Sequence, residues 1–173
     1  TIPELGDIRI DQGTSATGID RMDDVTPNVW EEAYATGLGT GIATINGSSS
    51  GSTIEYTPNM LPDGLAVVLA YTPDAGGSNA GDKASSGVDT GAENSGYDIT
   101  VTATDAVHGI AGLTLYAGLA QIDQEVEAAG VDGDEEEETW AITYAAGNFT
   151  VGYQWSEQDL GTSTAEQAYE NEG

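Results

Sequence analysis

The chain has 173 residues, enough for one domain of ordinary size. Its 30 acidic residues outweigh 3 basic ones, and the net charge of −27 excludes duplex nucleic acid and an anionic membrane surface as partners, because both need Lys and Arg. There is no Cys, hence no disulfide framework or thiol chemistry, and no apolar run approaches the length of a transmembrane helix.

Residues 5–11 read as a first strand, with Gly6, Ile8 and Ile10 on one face and Asp7, Arg9 and Asp11 on the other. A long irregular segment follows, residues 12–50, carrying Asp20, Arg21, Asp23, Asp24, Glu31 and Glu32. Within it, Thr26-Pro27-Asn28 opens a short helix that continues to Tyr34. A connection of this length inside a compact unit is usually functional. Residues 52–57 form the second strand, with Ile54 and Tyr56 outward and Thr53, Glu55 and Thr57 inward. Turn residues at 58–64 lead into a third strand at 65–72. A polar loop at 74–95 separates it from the fourth strand at 97–104. A turn at 105–109 leads to the fifth strand at 110–122, and a densely acidic loop fills 123–138. The sixth strand covers 139–146, Gly147-Asn148 is a two-residue turn, and the seventh strand covers 149–157. The polar tail, 158–173, reads as a last long loop.

The later strands keep one phase. Leu113, Leu115 and Leu119, then Trp140, Ile142 and Tyr144, then Phe149, Val151, Tyr153 and Trp155 occupy one face. The other face is Thr, Gln, Ser and Gly, with little charge. This is the strand pattern of a barrel with lipid outside and water inside. Connections alternate long and short, as in barrels with short periplasmic turns and long outer loops. Tyr71, Tyr97, Trp140, Tyr153 and Trp155 adjoin long loops, while Tyr56, Tyr144 and Phe149 lie nearer short turns, which predicts two aromatic girdles. The expected fold is all-β: an antiparallel meander of about seven strands, with residues 1–173 one segment of a transmembrane β-barrel. The competing reading is a secreted or surface acidic β-sandwich, an adhesin or layer-type protein with Ca-linked assembly. The apolar face discriminates them, since a sandwich interrupts it with polar edge residues.

Asp132, Asp134, Glu135 and Glu136 are candidates for weak Ca²⁺ association, since carboxylates on a loop suit a hard cation. Their spacing lacks the fixed pattern of a twelve-residue Ca²⁺ loop, so bridging to lipid phosphates is the expected mode; no other cofactor is implied. Enzymatic activity is not expected. His108 is the only His and falls in a turn, so no Ser-His-Asp set can be built, and nothing singles out a carboxylate pair.

The order of parts resembles a Gram-negative general porin of marine alphaproteobacterial type. Leu5-Gly6-Asp7-Ile8-Arg9-Ile10 is similar to the strand entering the family's constriction loop, and residues 12–50 resemble that loop. Ser52-Thr53-Ile54-Glu55-Tyr56-Thr57-Pro58-Asn59-Met60 resembles the strand and turn that follow, and residues 65–71 the next strand. The resemblance implies a trimeric barrel of about sixteen strands in the outer membrane of a Gram-negative bacterium, of which this chain is an internal piece. It implies passive diffusion of small hydrophilic solutes, with outer-membrane lipid around the barrel. Asp20, Asp23, Asp24, Glu31 and Glu32 then become constriction acids, with Glu55 facing inward beside Arg9 and Arg21. The family usually carries several basic residues on the pore wall; here only Arg9 and Arg21 are available, so cation preference is expected.

Overall fold

A computed structural model of the chain describes residues 5–12, 17–22, 25, 52–73, 93–124, 133–159, 161 and 168–172. Asp23, Asp24, Glu31, Glu32, Asp132 and the helix expected at 26–34 lie outside the described residues. Eight strands form one sheet: β1 (Gly6–Gln12), β2 (Ser52–Pro58), β3 (Leu65–Thr72), β4 (Glu93–Ala103), β5 (Leu113–Gln124), β6 (Glu135–Ala146), β7 (Phe149–Asp159) and β8 (Ala168–Glu172). Their spatial order is their sequence order and every pairing is antiparallel, so the sheet is a meander. Among the described residues it is open, with β1 and β8 as its edges.

Seven strands fall where the alternation puts them, with differences at the ends. β6 begins at Glu135 rather than Thr139, and β5 runs on to Gln124, so the acidic stretch 135–138 is strand and not loop. Alternation is the reason: Glu135 and Glu137 are buried on one face while Glu136 and Glu138 are exposed on the other. The tail also differs. β7 extends to Asp159, and residues 168–172 pair with it as β8, although Glu170, Asn171 and Glu172 follow Ala168 and Tyr169 and leave no apolar alternation to mark a strand. The turn between β4 and β5 contains a single helical turn, α1 (Asp105–His108), closed by Gly109 at φ 79°. Gly147-Asn148 is the tight turn expected between β6 and β7.

Burial on this sheet is inverted relative to a water-soluble one. The polar face carries the buried residues, among them Thr53, Glu55, Thr72, Asp98, Thr100, Glu137, Thr139 and Ser156. The apolar face is open: Ile10 is 72%, Leu119 53% and Val151 63% exposed. Soluble antiparallel sheets do the reverse, because removing apolar surface from water drives their folding. The expected girdle residues Tyr71, Tyr97, Trp140, Tyr144, Phe149 and Tyr153 are exposed on this outward face. Tyr71 pairs across the sheet with Tyr97, and Trp140 with the half-buried Trp155. Trp140 also meets Tyr153 with ring centroids 5.2 Å apart and a 41° tilt, within the range for attractive aromatic pairs.

Two glycines near the short turns separate backbone strain from steric collision. Gly109 and Gly112 both sit at φ 79°, but a Cβ on Gly109 meets nothing within 4 Å, whereas on Gly112 it would lie 2.3 Å from the Ala145 carbonyl oxygen. That carbonyl cannot retreat freely, since Ala145 N–H donates to Gly112 O at 2.8 Å. Gly109→Ala should cost about 1 kcal/mol, the left-handed conformation alone. Gly112→Ala should cost clearly more, about 2–4 kcal/mol, through the added clash. Equilibrium urea unfolding of both variants checks the order.

Candidate functional site

The polar face is crossed by the segment that follows β1. Residues 18–22 form a 3-10 turn, Gly18–Met22, which contacts β3, β4 and β5. Two carboxylates hold its first turn. Glu55 on β2 accepts from Gly18 N–H at 2.9 Å, and Asp98 on β4 accepts from Ile19 N–H at 2.9 Å. These N–H groups lack intrahelical acceptors at the start of a helix, so each carboxylate supplies a missing partner. Gly18 has φ 56°, and a Cβ there would fall 1.7 Å from Asp98 Oδ2, so only glycine lets the backbone approach so closely.

The far end of the turn is fixed from another strand. Gln154 on β7 donates through Nε2 to Met22 O at 3.0 Å, and more weakly to Thr139 Oγ1 at 3.4 Å. Apolar contact completes the seat. Ile19 and Met22 are buried against Ala120, flanked by Val25 and Tyr116. Gly118 makes room for this cluster: a Cβ there would come within 2.8 Å of Ile19 Cγ1. A small apolar seat has therefore been built into an otherwise polar face.

Both described basic side chains on this face converge on Glu55. Arg21 binds Glu55 Oε1 and also donates from Nε to Gly18 O at 2.9 Å. Arg9 donates to Glu55 Oε2 at 3.4 Å and to Asp11 Oδ2 at 2.7 Å. Arg9 thus pairs with inward acids, as the alternation of β1 implies. Asp20 lies half-buried on the same turn. Of the expected constriction residues, Arg9, Asp20, Arg21 and Glu55 are brought together; Asp23, Asp24, Glu31 and Glu32 lie outside the described residues. Asp98 and Gln154 were not singled out from the sequence. Their signal was available, as polar residues at inward positions of β4 and β7, but nothing local tied them to residues 18–22, 79 and 132 positions away in their respective contacts.

A second polar group lies toward the loop end. Gln158 donates from Nε2 to Glu135 Oε1 at 2.7 Å and to Glu137 Oε1 at 2.9 Å. Glu135 is the first residue of β6, at its loop end and ahead of Trp140. Burial pushes its carboxyl above the ordinary value of 4.5, and the Gln158 hydrogen bond offsets part of that rise. Asp134 accepts from Gln121 Nε2 at 2.7 Å and from Gln124 N–H at 3.2 Å. Of the expected Ca²⁺ candidates, Glu135 and Glu136 point to opposite faces of β6. Among the described residues no three His, Cys, Asp or Glu side chains gather as metal ligands. Asp132 lies outside the described residues.

The chain matches no family model, and no curated protein matches it.

Two measurements test this geometry. Removing the charge in Glu55→Gln leaves Arg9 and Arg21 without their shared anion and should cost about 1–3 kcal/mol. Hydrogen exchange at the Gly18 amide should accelerate by about tenfold or more, while Asp98→Ala should act first on the Ile19 amide. For Glu135 the sign follows from proton binding. A raised native value means the folded state binds more protons than the unfolded one above pH 4.5, so stability falls as pH rises through that window. Glu135→Gln should therefore be more stable than the parent at neutral pH and lose that advantage in acid, read from urea midpoints between pH 4 and 8.

Proposed function

We propose that the chain forms part of the wall of an outer-membrane diffusion pore of the porin type. The single observation carrying this reading is the inverted sheet, with polar side chains buried on the face that the 3-10 turn covers and apolar side chains open on the other. An open apolar face bounded by aromatic side chains suits lipid, and a Thr-rich face suits a water-filled lumen. The turn at Gly18–Met22 would narrow that lumen, as the resemblance to a constriction loop implies.

Selectivity in such a pore comes from its width and its lining charges. Glu55 engages both Arg9 and Arg21, so the described cations are spent against acids already on the wall. The remaining acidic excess makes the lumen cation-preferring for small hydrophilic solutes. The resemblance adds a closed barrel of about sixteen strands in the outer membrane of a Gram-negative bacterium, assembled as a homotrimer.

Planar bilayer recording of the natural protein tests the pore directly. The expected result is conductance with cation over anion preference at moderate salt; anion preference, or no conductance, overturns the reading. The outward face has its own test. Leu115 is 39% exposed on β5. Leu115→Arg should cost about 2–4 kcal/mol for a protein folded in a bilayer. On the solvent face of a soluble sheet the same change stays within about 0.5 kcal/mol.

A further inference from the structure

A groove of about 350 Å³ lies on the outward face at the loop end of the sheet, on the side opposite the 3-10 turn. Its wall on β4 and β5 is mostly apolar and aromatic, with Tyr97, Ile99, Leu119 and Ala120 beside the polar Gln121. Its wall on β6 and β7 is wholly acidic. Register sets these carboxylates in facing pairs: Glu136 opposite Asp159, and Glu138 opposite Glu157. The same rows run across to the apolar wall, since Leu119 pairs with Glu138 and Ile99 with Leu119. One step along the strands, on the turn side, stands the pair Trp140 and Trp155.

Like charges directly opposite across two strands are destabilising, and this patch has two such pairs in succession. Arg9 and Arg21 are bound by Glu55 on the other face. Asp159 has a backbone partner, accepting from Gly161 N–H at 3.0 Å, but that amide carries no full charge. Among the described residues no basic side chain answers these acids, so the groove suits a positive charge and, beside it, an apolar body that covers Ile99 and Leu119. A bare divalent ion meets the first demand and not the second. It also wants several oxygens converging on one point, and no such set exists among the described residues.

We infer that this groove binds a cationic amphiphile, an amine-headed lipid or a molecule of that class, with its ammonium among Glu136, Glu138 and Glu157 and its chain along Ile99 and Leu119. The charge complementarity is direct, and a weakly hydrated ammonium gains further from aromatic faces nearby. The depth fits as well, because Trp and Tyr mark the headgroup level of a membrane. The groove is on the outward face, so the inference stands whether or not the polar face conducts.

The test is a fluorescence titration of the natural protein in a fixed concentration of neutral detergent, following the tryptophan signal, to which Trp140 and Trp155 beside the groove contribute two of the three residues. Octyltrimethylammonium is the probe, octyl glucoside the uncharged control and calcium chloride the inorganic control. Saturable binding of the ammonium probe is expected, weakened by about tenfold or more in the Glu138→Gln, Glu157→Gln double variant. The double variant relieves a like-charge pair, so it should fold at least as stably as the parent. Leu119→Ser, which keeps every carboxylate, should weaken the probe and leave any calcium response unchanged. Equal binding of octyl glucoside would reduce the groove to a plain apolar surface and overturn the inference. So would unchanged affinity in the double variant, or calcium saturating the site and displacing the probe at lower concentration.

Discussion

The polar face depends on two carboxylates that reach up from neighbouring parts of the sheet to two successive amides. Glu55 and Asp98 are both nearly fully buried, a costly position for an ionised group without partners. Each finds a backbone N–H at 2.9 Å, at Gly18 and at Ile19. The exchange is mutual: the start of the 3-10 turn gains acceptors, and the buried acids gain donors. Glu55 goes further and gathers Arg9 and Arg21, so one side chain ties β1, β2 and the crossing segment together. Without these bonds the start of the turn would lose its amide ties to Glu55 and Asp98, and Gln154 would still hold its far end.

Packing then decides where the segment can lie. Ile19 fits only where the wall has no side chain, and Gly118 provides that gap midway along β5. Gly18 provides the matching gap in the segment itself, opposite Asp98. Thus one glycine on the wall and one on the turn define a single docking register, while Gln154 fixes the direction in which the turn continues. Small size, rather than backbone freedom, is what matters at Gly118; at Gly18 both matter, since its φ is 56°. This is a precise seat made of few parts, and polar and apolar contacts reinforce one another in it.

Most of the sheet could be read from period-two alternation, and the residues explain where it could not. Strands β2 to β5 carry Ile, Val, Leu and Tyr at alternate positions, so their phase is plain, and β7 is marked by Phe149, Val151, Tyr153 and Trp155. The acidic start of β6 defeats the same reading, because Glu135 to Glu138 look alike whichever way they point. Only register against β5 and β7 separates the two buried acids from the two exposed ones. The residues of β8 fail for the same reason, lacking an apolar phase. In the candidate site, Arg9, Arg21 and Glu55 were legible as inward or loop charges. Asp98 and Gln154 were not, because their role depends on the distant turn that they meet.

The charge of the chain is also divided by the pleat, and the two faces use it differently. On the inward face Glu55, Asp98, Glu135 and Glu137 accept from amides, from arginines and from the Gln158 side chain. On the outward face of β6 and β7 four carboxylates stand in facing pairs beside apolar and aromatic neighbours. An inward acid that already has its donors needs no further counter-charge. An outward pair with no basic neighbour among the described residues gains most from a counter-charge. The same residue type is therefore hydrogen-bonded within the sheet on one face and set opposite its like on the other, and strand register alone determines which.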